Sequence, residues 1–306
     1  MPSTESWIDQ AAGRLLRQRS DTDGWGYVRE ARPAVEPTAF AALALRCADA
    51  STNAHDREEA LTHAARWVAG MQQGDGSVAL SAALTEPRWA TAHAILLWSN
   101  VDGFAAERTR ATRWLERARG RSFRKSSDSP IGHDTSLVGW PWVESTHSWV
   151  EPTAMAIIAL TRAGLGRSSR VDDGVRLLLD RAIPSGGWNY GNNLVFHTVL
   201  RPQPGPTGLV LLALACARSR HRSVGPALDY LESSLPSIRS AQSLGWGILG
   251  LSAWDRRPHQ AGRWLQEAYA QASDDSPIEL AHLILAAHER AMDCFGRAAT
   301  KEASRP

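Results

Sequence analysis

The chain has 306 residues, 43% of them hydrophobic and 22% charged, and this composition indicates a globular protein with a substantial core rather than a disordered chain. The formal net charge is only +2, and the arginines are scattered along amphipathic segments, so no nucleic-acid partner is expected. The three cysteines, Cys47, Cys216 and Cys294, are widely separated, which argues against a disulfide framework and a zinc knuckle and favours a reducing compartment.

The amino-terminal segment, Met1 to Gln10, is polar and lacks the basic-then-apolar order of a signal peptide. The longest apolar stretch, Leu209 to Ala217, is too short to span a bilayer. We therefore expect a cytoplasmic protein with no transmembrane segment. Peripheral contact with a membrane surface and the oligomeric state are left open.

Two kinds of helix alternate along the chain. Amphipathic segments with charged outer faces are predicted at 5–18, 56–71, 104–118, 170–182, 224–235 and 259–272. Segments that are apolar nearly all round, and therefore buried on every side, are predicted at 37–48, 89–99, 152–163, 206–217, 243–253 and 277–290. Because helix pairs that cannot bury their faces alone must stack on neighbours, six pairs predict an all-α (α/α)6 toroid. We expect residues 1–290 to form this single domain and residues 291–306, ending in Lys301 to Pro306, to form a frayed tail.

The inner helices begin with similar short sequences. Val-Glu-Pro-Thr-Ala occurs at 35–39 and again at 150–154, and weaker copies lie at 205–208 and 89–92. Proline favours the first helical turn, so Glu36 and Glu151 are expected at helix caps near the positive end of the helix dipole. A cap is needed at every repeat, whereas a catalytic acid is needed once, and this favours a structural interpretation of both glutamates.

The links from outer to inner helices are long and carry Gly-Trp pairs, at 23–27, 139–142, 186–190 and 245–247. We expect these loops to gather on one rim of a central cavity. The longest, Gly120 to Trp149, has the length of a functional or a disordered loop, and its tryptophans argue against disorder.

These segments resemble the QW-type repeats of the terpenoid cyclase and protein prenyltransferase superfamily. The stretches that carry the resemblance are Gln18 through Gly24-Trp25, Gln72-Gln73-Gly74-Asp75-Gly76-Ser77, Gly186-Gly187-Trp188 and Gly245-Trp246. The resemblance covers nearly the whole chain and implies the same toroid of alternating inner and outer helices. A shared fold is a much weaker argument for a shared activity.

The resemblance also suggests a candidate for a catalytic acid. Class II cyclases carry a D-x-D-D-T-A motif whose middle carboxylic acid protonates an alkene, and the matching stretch here is Trp149-Val150-Glu151-Pro152-Thr153-Ala154. Glu151 matches the proton donor, but Trp149 and Pro152 replace the flanking acids. His147 or Asp134, in the loop before Glu151, would support that acid.

Protein prenyltransferases bind zinc through Asp, Cys and His at inner-helix starts, and no matching set is found here. We therefore predict no metal and no cofactor. An incidental site formed by His133, Asp134 and His147 lacks any recognised spacing.

Aromatic side chains on the rim are candidates for contact with an apolar substrate, since their ring faces stabilise cations. Trp140, Trp142 and Trp149 are the preferred pocket residues, whereas packing is favoured for Trp25, Trp188 and Trp246. Further candidates at the cavity mouth are Tyr190, Asn189, His197 and Arg201, the last of which would suit an anionic group.

Three hypotheses follow. The leading one is a terpenoid cyclase-like enzyme that binds an isoprenoid or other apolar substrate in the central cavity, with Glu151 as general acid. The second is a non-catalytic toroid that binds an apolar ligand or a protein partner through its Trp-rich rim. The third is a carbohydrate-active enzyme that uses Glu36 and Glu151 as paired acids.

Overall fold

The computed structural model describes residues 6–48, 54–86, 88–126, 129–273 and 275–296. The helices in these residues are, in chain order, α1 (Trp7–Arg17), α2 (Val35–Cys47), α3 (Ala54–Ala69), α4 (Thr91–Trp98), α5 (Ala105–Arg117), α6 (Val150–Leu160), α7 (Ser169–Asp180), α8 (Pro204–Cys216), α9 (Val224–Ser234), α10 (Ala241–Ser252), α11 (Ala261–Gln271), α12 (Pro277–Ala287) and α13 (Ala291–Phe295). A π-helical turn (Thr161–Leu165) extends α6, a 3-10 turn (Leu235–Ser237) follows α9, and a small hairpin is formed by β1 (Leu194–Val195) and β2 (Thr198–Val199).

The even-numbered helices α2 to α12 form a closed inner ring. Each packs against the next in chain order, and α12 returns to pack against α2. The odd-numbered helices α1 to α11 lie outside this ring against their inner neighbours. The predicted (α/α)6 toroid is therefore confirmed, and all twelve predicted helices are present with ends within about three residues.

Burial explains the two helix types. In α6, every residue except Glu151 is buried, because the helix is covered by the ring on its sides and by α7 outside. In the outer helix α1, only Ala11, Ala12 and Leu15 are buried. Its other residues are exposed or partly buried. A helix that is apolar all round is stable only in the inner position, so the sequence pattern assigns each helix to its layer.

Three loop tryptophans join outer helices to the ring. The rings of Trp25, Trp140 and Trp188 are at most 2% exposed. Their indole N–H groups donate to carbonyl oxygens near the ends of the preceding outer helices: to Leu15 at 2.8 Å, to Leu115 at 2.8 Å and to Leu178 at 2.6 Å. These bonds satisfy orphan carbonyls at the helix C-termini.

The same tryptophans are bonded to the following inner helices through a threonine. The backbone N–H of Trp25, Trp140 and Trp188 donates to the hydroxyl of Thr38, Thr153 and Thr207, at 2.9, 3.0 and 2.9 Å respectively. Each hydroxyl also donates back to the carbonyl of its tryptophan, at 3.2, 3.4 and 3.0 Å. We call these three pairs the Trp–Thr clamps. In the second repeat, Thr91 accepts from the backbone N–H of Val78 in the same way.

The glycine before each clamp tryptophan is required by this contact. A Cβ at Gly139 would lie 2.4 Å from Thr153 Oγ1. Gly187 has a φ of +85°, and a Cβ there would lie 2.7 Å from Thr207 Oγ1. Only glycine lets the loop approach the threonine hydroxyl this closely, so the repeated Gly-Trp pair follows from the clamp.

A buried arginine orders the long loop between α5 and α6. The guanidinium of Arg170, on α7, lies 3.5 Å from the ring centre of Trp140 and donates to the carbonyl oxygens of Ala118, Val138 and Gly139. Arg170 thus ties the start of the loop to the segment at Trp140, which is the kind of buried polar pairing that an arginine fork permits.

The structure corrects one expectation about the loops. The Gly245-Trp246-Gly247 segment, predicted to belong to a rim loop, lies inside α10. Its glycines serve helix packing, since a Cβ on Gly247 would lie 2.6 Å from the Leu235 side chain and one on Gly245 would lie 3.0 Å from the backbone of His282 on α12. The close approach of α8 and α10 requires Gly208 on α8, where a Cβ would lie 2.2 Å from the carbonyl oxygen of Trp246.

After the twelve helices of the toroid, Ala291–Phe295 forms α13, in which Phe295 is buried. This helix lies within the segment expected to be a tail, and Lys301 to Pro306 lie outside the described residues. In the part of the chain that the structure describes, no helix has the length and apolarity needed to cross a bilayer.

The clamp predicts a measurable cost for removing one hydroxyl. Thr207→Val keeps the side-chain shape but leaves the buried N–H and carbonyl of Trp188 without this partner, so the free energy of unfolding should fall by about 1–3 kcal/mol. The matched control is Thr109→Val, whose exposed hydroxyl bonds only to Ala105 of its own helix and whose loss should cost less than about 0.5 kcal/mol. Urea unfolding followed by circular dichroism measures both, and equal costs would contradict the structural role of the clamp.

Candidate functional site

The ring encloses a small central cavity of about 50 Å³ at the end where the inner helices begin. Its lining comes from five of the six inner helices or their starts and from the long loop. The lining residues are Glu36, Phe40, Trp89, His93, Trp142, Glu151, Pro152, Met155, Leu209, Gln242 and Trp246.

Two carboxyl groups face this cavity, and neither is a helix cap. The N-caps of α2 and α6 are Ala34 and Trp149, and neither makes a side-chain cap hydrogen bond. The expected cap role of Glu36 and Glu151 is therefore wrong. The residue that recurs for structural reasons is the threonine two positions later, which leaves the glutamates free to face the centre.

The surroundings of Glu36 hold it in place. Its Oε2 accepts a hydrogen bond of 2.6 Å from the Tyr27 hydroxyl. Its Oε1 lies 3.8 Å from His93 Nε2, and its side chain is 17% exposed. A carboxylate in this position is oriented by a neutral donor rather than neutralised by a cation.

Burial changes the proton affinity of both acids. It raises the pKa of Glu36 to about 7, and the hydrogen bond from Tyr27 opposes this shift. It also raises the pKa of Glu151 to about 7, with the negative charge of Glu36 as the second cause. Because the two groups interact, they lose their protons stepwise as a pair. Near neutral pH one of them can hold a proton while the other is charged.

Two buried histidines near the acids are neutral. Burial, followed by the proximity of His282, lowers the pKa of His93 to about 3. Burial lowers the pKa of His282 to about 4, and its Nδ1 lies 2.8 Å from the carbonyl oxygen of Ile278. Neither ring is a counter-ion for Glu36 at neutral pH, since each carries its positive charge only under acidic conditions.

Aromatic rings form most of the remaining wall. The rings of Phe40 and Trp246 meet edge to face with centroids 5.6 Å apart, and those of Trp89 and Trp142 do so at 4.9 Å. Edge-to-face pairs leave ring faces available to a neighbouring group. The centre of the toroid therefore combines protonatable acids with ring faces that can stabilise a positive charge.

A larger cleft of about 460 Å³ adjoins the central cavity and shares Trp89, Trp142 and Pro152 with it. The end of α5 contributes Arg117, and Arg119 follows it at the cleft. The cleft thus connects a basic, exposed edge of the rim with the aromatic pair that borders the acids.

The structure separates the predicted site residues into groups. Glu36, Glu151, Trp142 and Trp246 line the central cavity. Trp25, Trp140 and Trp188 are the clamp tryptophans and are buried; Trp140, preferred as a pocket residue, also lines the larger cleft beside Trp142. His147 and Trp149 line a different cavity in the long loop.

Of the other predicted residues, Tyr190 lies beside Glu151: its backbone carbonyl accepts the N–H of Val150 at 3.1 Å, and burial followed by the charge of Glu151 raises the pKa of its hydroxyl. Asp134 accepts hydrogen bonds from the backbone and hydroxyl of Ser136. Asn189 bonds within its own loop, to Asn192 and Gly191. Tyr190, His197 and Arg201 are exposed on the rim. The structure brings Glu151 together with Glu36 rather than with His147 or Asp134.

Several lining residues were not predicted from the sequence. Phe40 and Met155 lie one helical turn after Glu36 and Glu151, and this shared spacing of four residues was a usable signal. Leu209 and Gln242 carry no such signal, because only ring closure brings α8 and α10 to the same point.

Comparisons with known proteins show the fold. An α-amylase from Clostridium perfringens superposes with a TM-score of 0.63 at 8% identity, covering 94% of this chain and 98% of that chain. The type II terpene cyclase MstE from Scytonema gives a TM-score of 0.57 at 15% identity, over 87% of this chain and 79% of that one. A protein from Actinoplanes gives 0.56 at 16% identity, over 87% and 78%.

No family profile and no curated protein matches this sequence. Among the described residues, no group of three or more His, Cys, Asp or Glu side chains is arranged to hold a metal ion.

The raised pKa of Glu36 predicts a pH-dependent stability. Since the folded pKa lies above its ordinary value of 4.5, the folded state binds the proton more tightly, and stability is lost as pH rises from about 4.5 through about 7. Glu36→Gln removes this loss. Its free energy of unfolding, relative to the wild type, should therefore increase by roughly 1–3 kcal/mol between pH 5 and pH 8.

Denaturant titrations at both pH values make this measurement. Glu30→Gln, at an exposed loop glutamate, is the control and should follow the wild type. If the difference in unfolding free energy between Glu36→Gln and the wild type does not change with pH, the prediction of a raised pKa for Glu36 is wrong.

Proposed function

We propose that this toroid is an enzyme that protonates an isoprenoid or similarly apolar unsaturated substrate in its centre. The observation that carries the proposal is the pair Glu36 and Glu151, each with a pKa raised to about 7, within a largely aromatic wall. A general acid must be protonated at the working pH, and this environment keeps a carboxyl neutral there.

The two glutamates have different roles in this proposal. Glu36 accepts the short hydrogen bond from Tyr27, which favours its charged form. Its charge in turn raises the pKa of Glu151. Glu151 is therefore the proton donor, and ionised Glu36 is the positioning residue that keeps it protonated and balances the positive charge formed on the substrate.

The reaction begins when the Glu151 hydroxyl transfers its proton to a carbon of the substrate double bond, whose π electrons form the new C–H bond. The neighbouring carbon becomes a cation, which Trp246, Phe40 and Trp142 stabilise through their rings. Loss of a proton from an adjacent carbon restores a double bond, and a carboxylate of the pair accepts that proton. Atoms balance with no co-reactant, so the net reaction is an isomerisation or cyclisation.

A raised pKa also restricts the substrate. A carboxylic acid of pKa about 7 is weaker than an ordinary one, so the reacting group must give a well-stabilised cation, such as a tertiary carbon or an opened epoxide. The fold is shared with MstE, of which a variant has been seen in complex with geranylgeranyl dihydroxybenzoate as substrate, at 15% identity and a TM-score of 0.58. The flanking acids of the cyclase motif are replaced here by Trp149 and Pro152, and the second glutamate stands in for them.

The volumes of the central cavity and the adjoining cleft indicate where the substrate would lie. A cavity of about 50 Å³ holds a few water molecules, whereas the adjoining cleft of about 460 Å³ is within the range of ligand sites. The chain of the substrate occupies this cleft, and its reacting end reaches Glu151 past Trp142 and Pro152, which line both spaces. An anionic head group would lie at Arg117 and Arg119.

The small central volume specifically favours a second candidate, a toroid that binds an apolar ligand or a protein without catalysis. Paired acids also suit glycoside hydrolysis, and the C. perfringens neighbour is an α-amylase. The wall, however, offers Gln242 and one neutral histidine, His93, rather than the many polar partners that sugar hydroxyls require.

The proposal is tested by incubating the protein with geranylgeraniol, its diphosphate, a terminal epoxide of each, and maltooligosaccharides, with product analysis by mass spectrometry. Turnover of an isoprenoid is expected, and it should fall as pH rises through about 7 because the acid loses its proton. Glu151→Gln should reduce kcat at least about 100-fold. Tyr27→Phe should shift the pH profile while keeping measurable turnover, and Glu30→Gln is the control.

Isoprenoid turnover unchanged in Glu151→Gln would overturn the role of that residue. Binding of an isoprenoid without any product would favour the non-catalytic toroid, and cleavage of the oligosaccharide would favour the carbohydrate enzyme.

A further inference from the structure

A second cavity, of about 360 Å³, lies within the long loop between α5 and α6. None of its lining residues lines the central cavity or the adjoining cleft, so it is a separate place in the fold. Phe123, Leu137 and Trp149 give it apolar walls. Phe123 is 46% exposed and lies at the opening.

The inner end of this cavity carries a buried cation. The Arg181 side chain is 6% exposed, and its Nε lies 3.8 Å from Asp180 Oδ2, beyond hydrogen-bond distance. One terminal nitrogen donates to the carbonyl oxygen of Gly191 at 2.7 Å. Asp180 is itself engaged, since Oδ2 accepts the backbone N–H of Asp134 at 2.9 Å. Burial lowers the pKa of Arg181 to about 10, so the guanidinium is still charged.

Two buried nitrogen atoms on the cavity lining have no hydrogen-bond partner among the described residues: Nε of Arg181 and Nδ1 of His133. His133 is 5% exposed. Burial and then the charge of Arg181 lower its pKa to about 4, so the ring is neutral and one of its nitrogens carries a proton. Buried polar groups are nearly always hydrogen-bonded, and an acceptor oxygen would satisfy both residues.

The opening adds further positive charge. The Arg121 guanidinium lies over the Phe123 ring at 5.3 Å, and His147 meets the same ring at 5.7 Å. An anion entering past these side chains approaches the guanidinium groups of Arg121 and Arg181. The negative charges of Asp180 and Asp134 oppose the fall in the pKa of Arg181 that burial causes, so they help to keep this guanidinium charged. An apolar cavity with a cationic end selects a molecule with one negative group and an apolar body.

We propose that this cavity binds a small amphipathic carboxylate, whose carboxylate oxygens accept hydrogen bonds from Arg181 and His133 and whose apolar body packs between Leu137, Phe123 and Trp149. A carboxylate presents two acceptor oxygens, one for Arg181 and one for His133. The site is independent of the acid pair and does not rest on the proposed enzymatic function.

The test is isothermal titration of the full chain at pH 7.5 with octanoate and with octan-1-ol, which has the same apolar body without the charge. Octanoate should bind at least tenfold more tightly than octan-1-ol. His133→Phe keeps the apolar volume and removes the donor, so octanoate should lose at least tenfold in affinity. Leu137→Trp fills the cavity and should abolish binding of both molecules.

Two controls locate the site. Val28→Ala, at an exposed position of the loop before α2, and Arg119→Ala, in the adjoining cleft, should leave octanoate binding unchanged. Circular dichroism and the urea midpoint check that each variant is folded. Equal affinity for octanoate and octan-1-ol, full binding by folded Leu137→Trp, or loss of binding in Arg119→Ala would each overturn the proposal.

Discussion

The toroid depends on the repeated hydrogen bonding between a loop tryptophan and the threonine that follows at the start of the next inner helix. Each Trp–Thr clamp joins an outer helix, a loop and an inner helix, because one indole N–H, one backbone N–H and one hydroxyl are all satisfied inside the core. These are the groups that would be costly to bury unpaired. The glycine before each tryptophan permits the close approach that this contact needs.

The clamp also explains how two acids reach the centre. Because the threonine supplies the structural bond at the start of α2, α4, α6 and α8, the residue two positions earlier is free to vary. It is glutamate in α2 and α6 and not in the weaker copies. These two helices are not neighbours in the ring; α4 lies between them and contributes His93. The acid pair is thus a product of ring closure, in which burial raises both pKa values and the charge of Glu36 raises that of Glu151 further.

The long loop uses a different principle. Arg170 binds three of its carbonyl groups and packs on Trp140, so a buried cation organises a segment that has little regular structure of its own. Arg181 donates to Gly191 in the neighbouring loop between α7 and α8. Because Arg181 also lines the cavity in the long loop, this loop can hold a ligand site apart from the central acids.

The sequence by itself determined the number, order and layer of the twelve helices, since apolar periodicity is a local property and an all-apolar helix is stable only inside the ring. It also located Glu36, Glu151 and the rim tryptophans. Only the tertiary structure decided which of these meet. Ring closure places Trp246 and Gln242 beside the acids, assigns Trp140 to packing through a bond to α5, and directs His147 and Trp149 to another cavity. These outcomes depend on contacts between residues far apart in the chain, which no local pattern encodes.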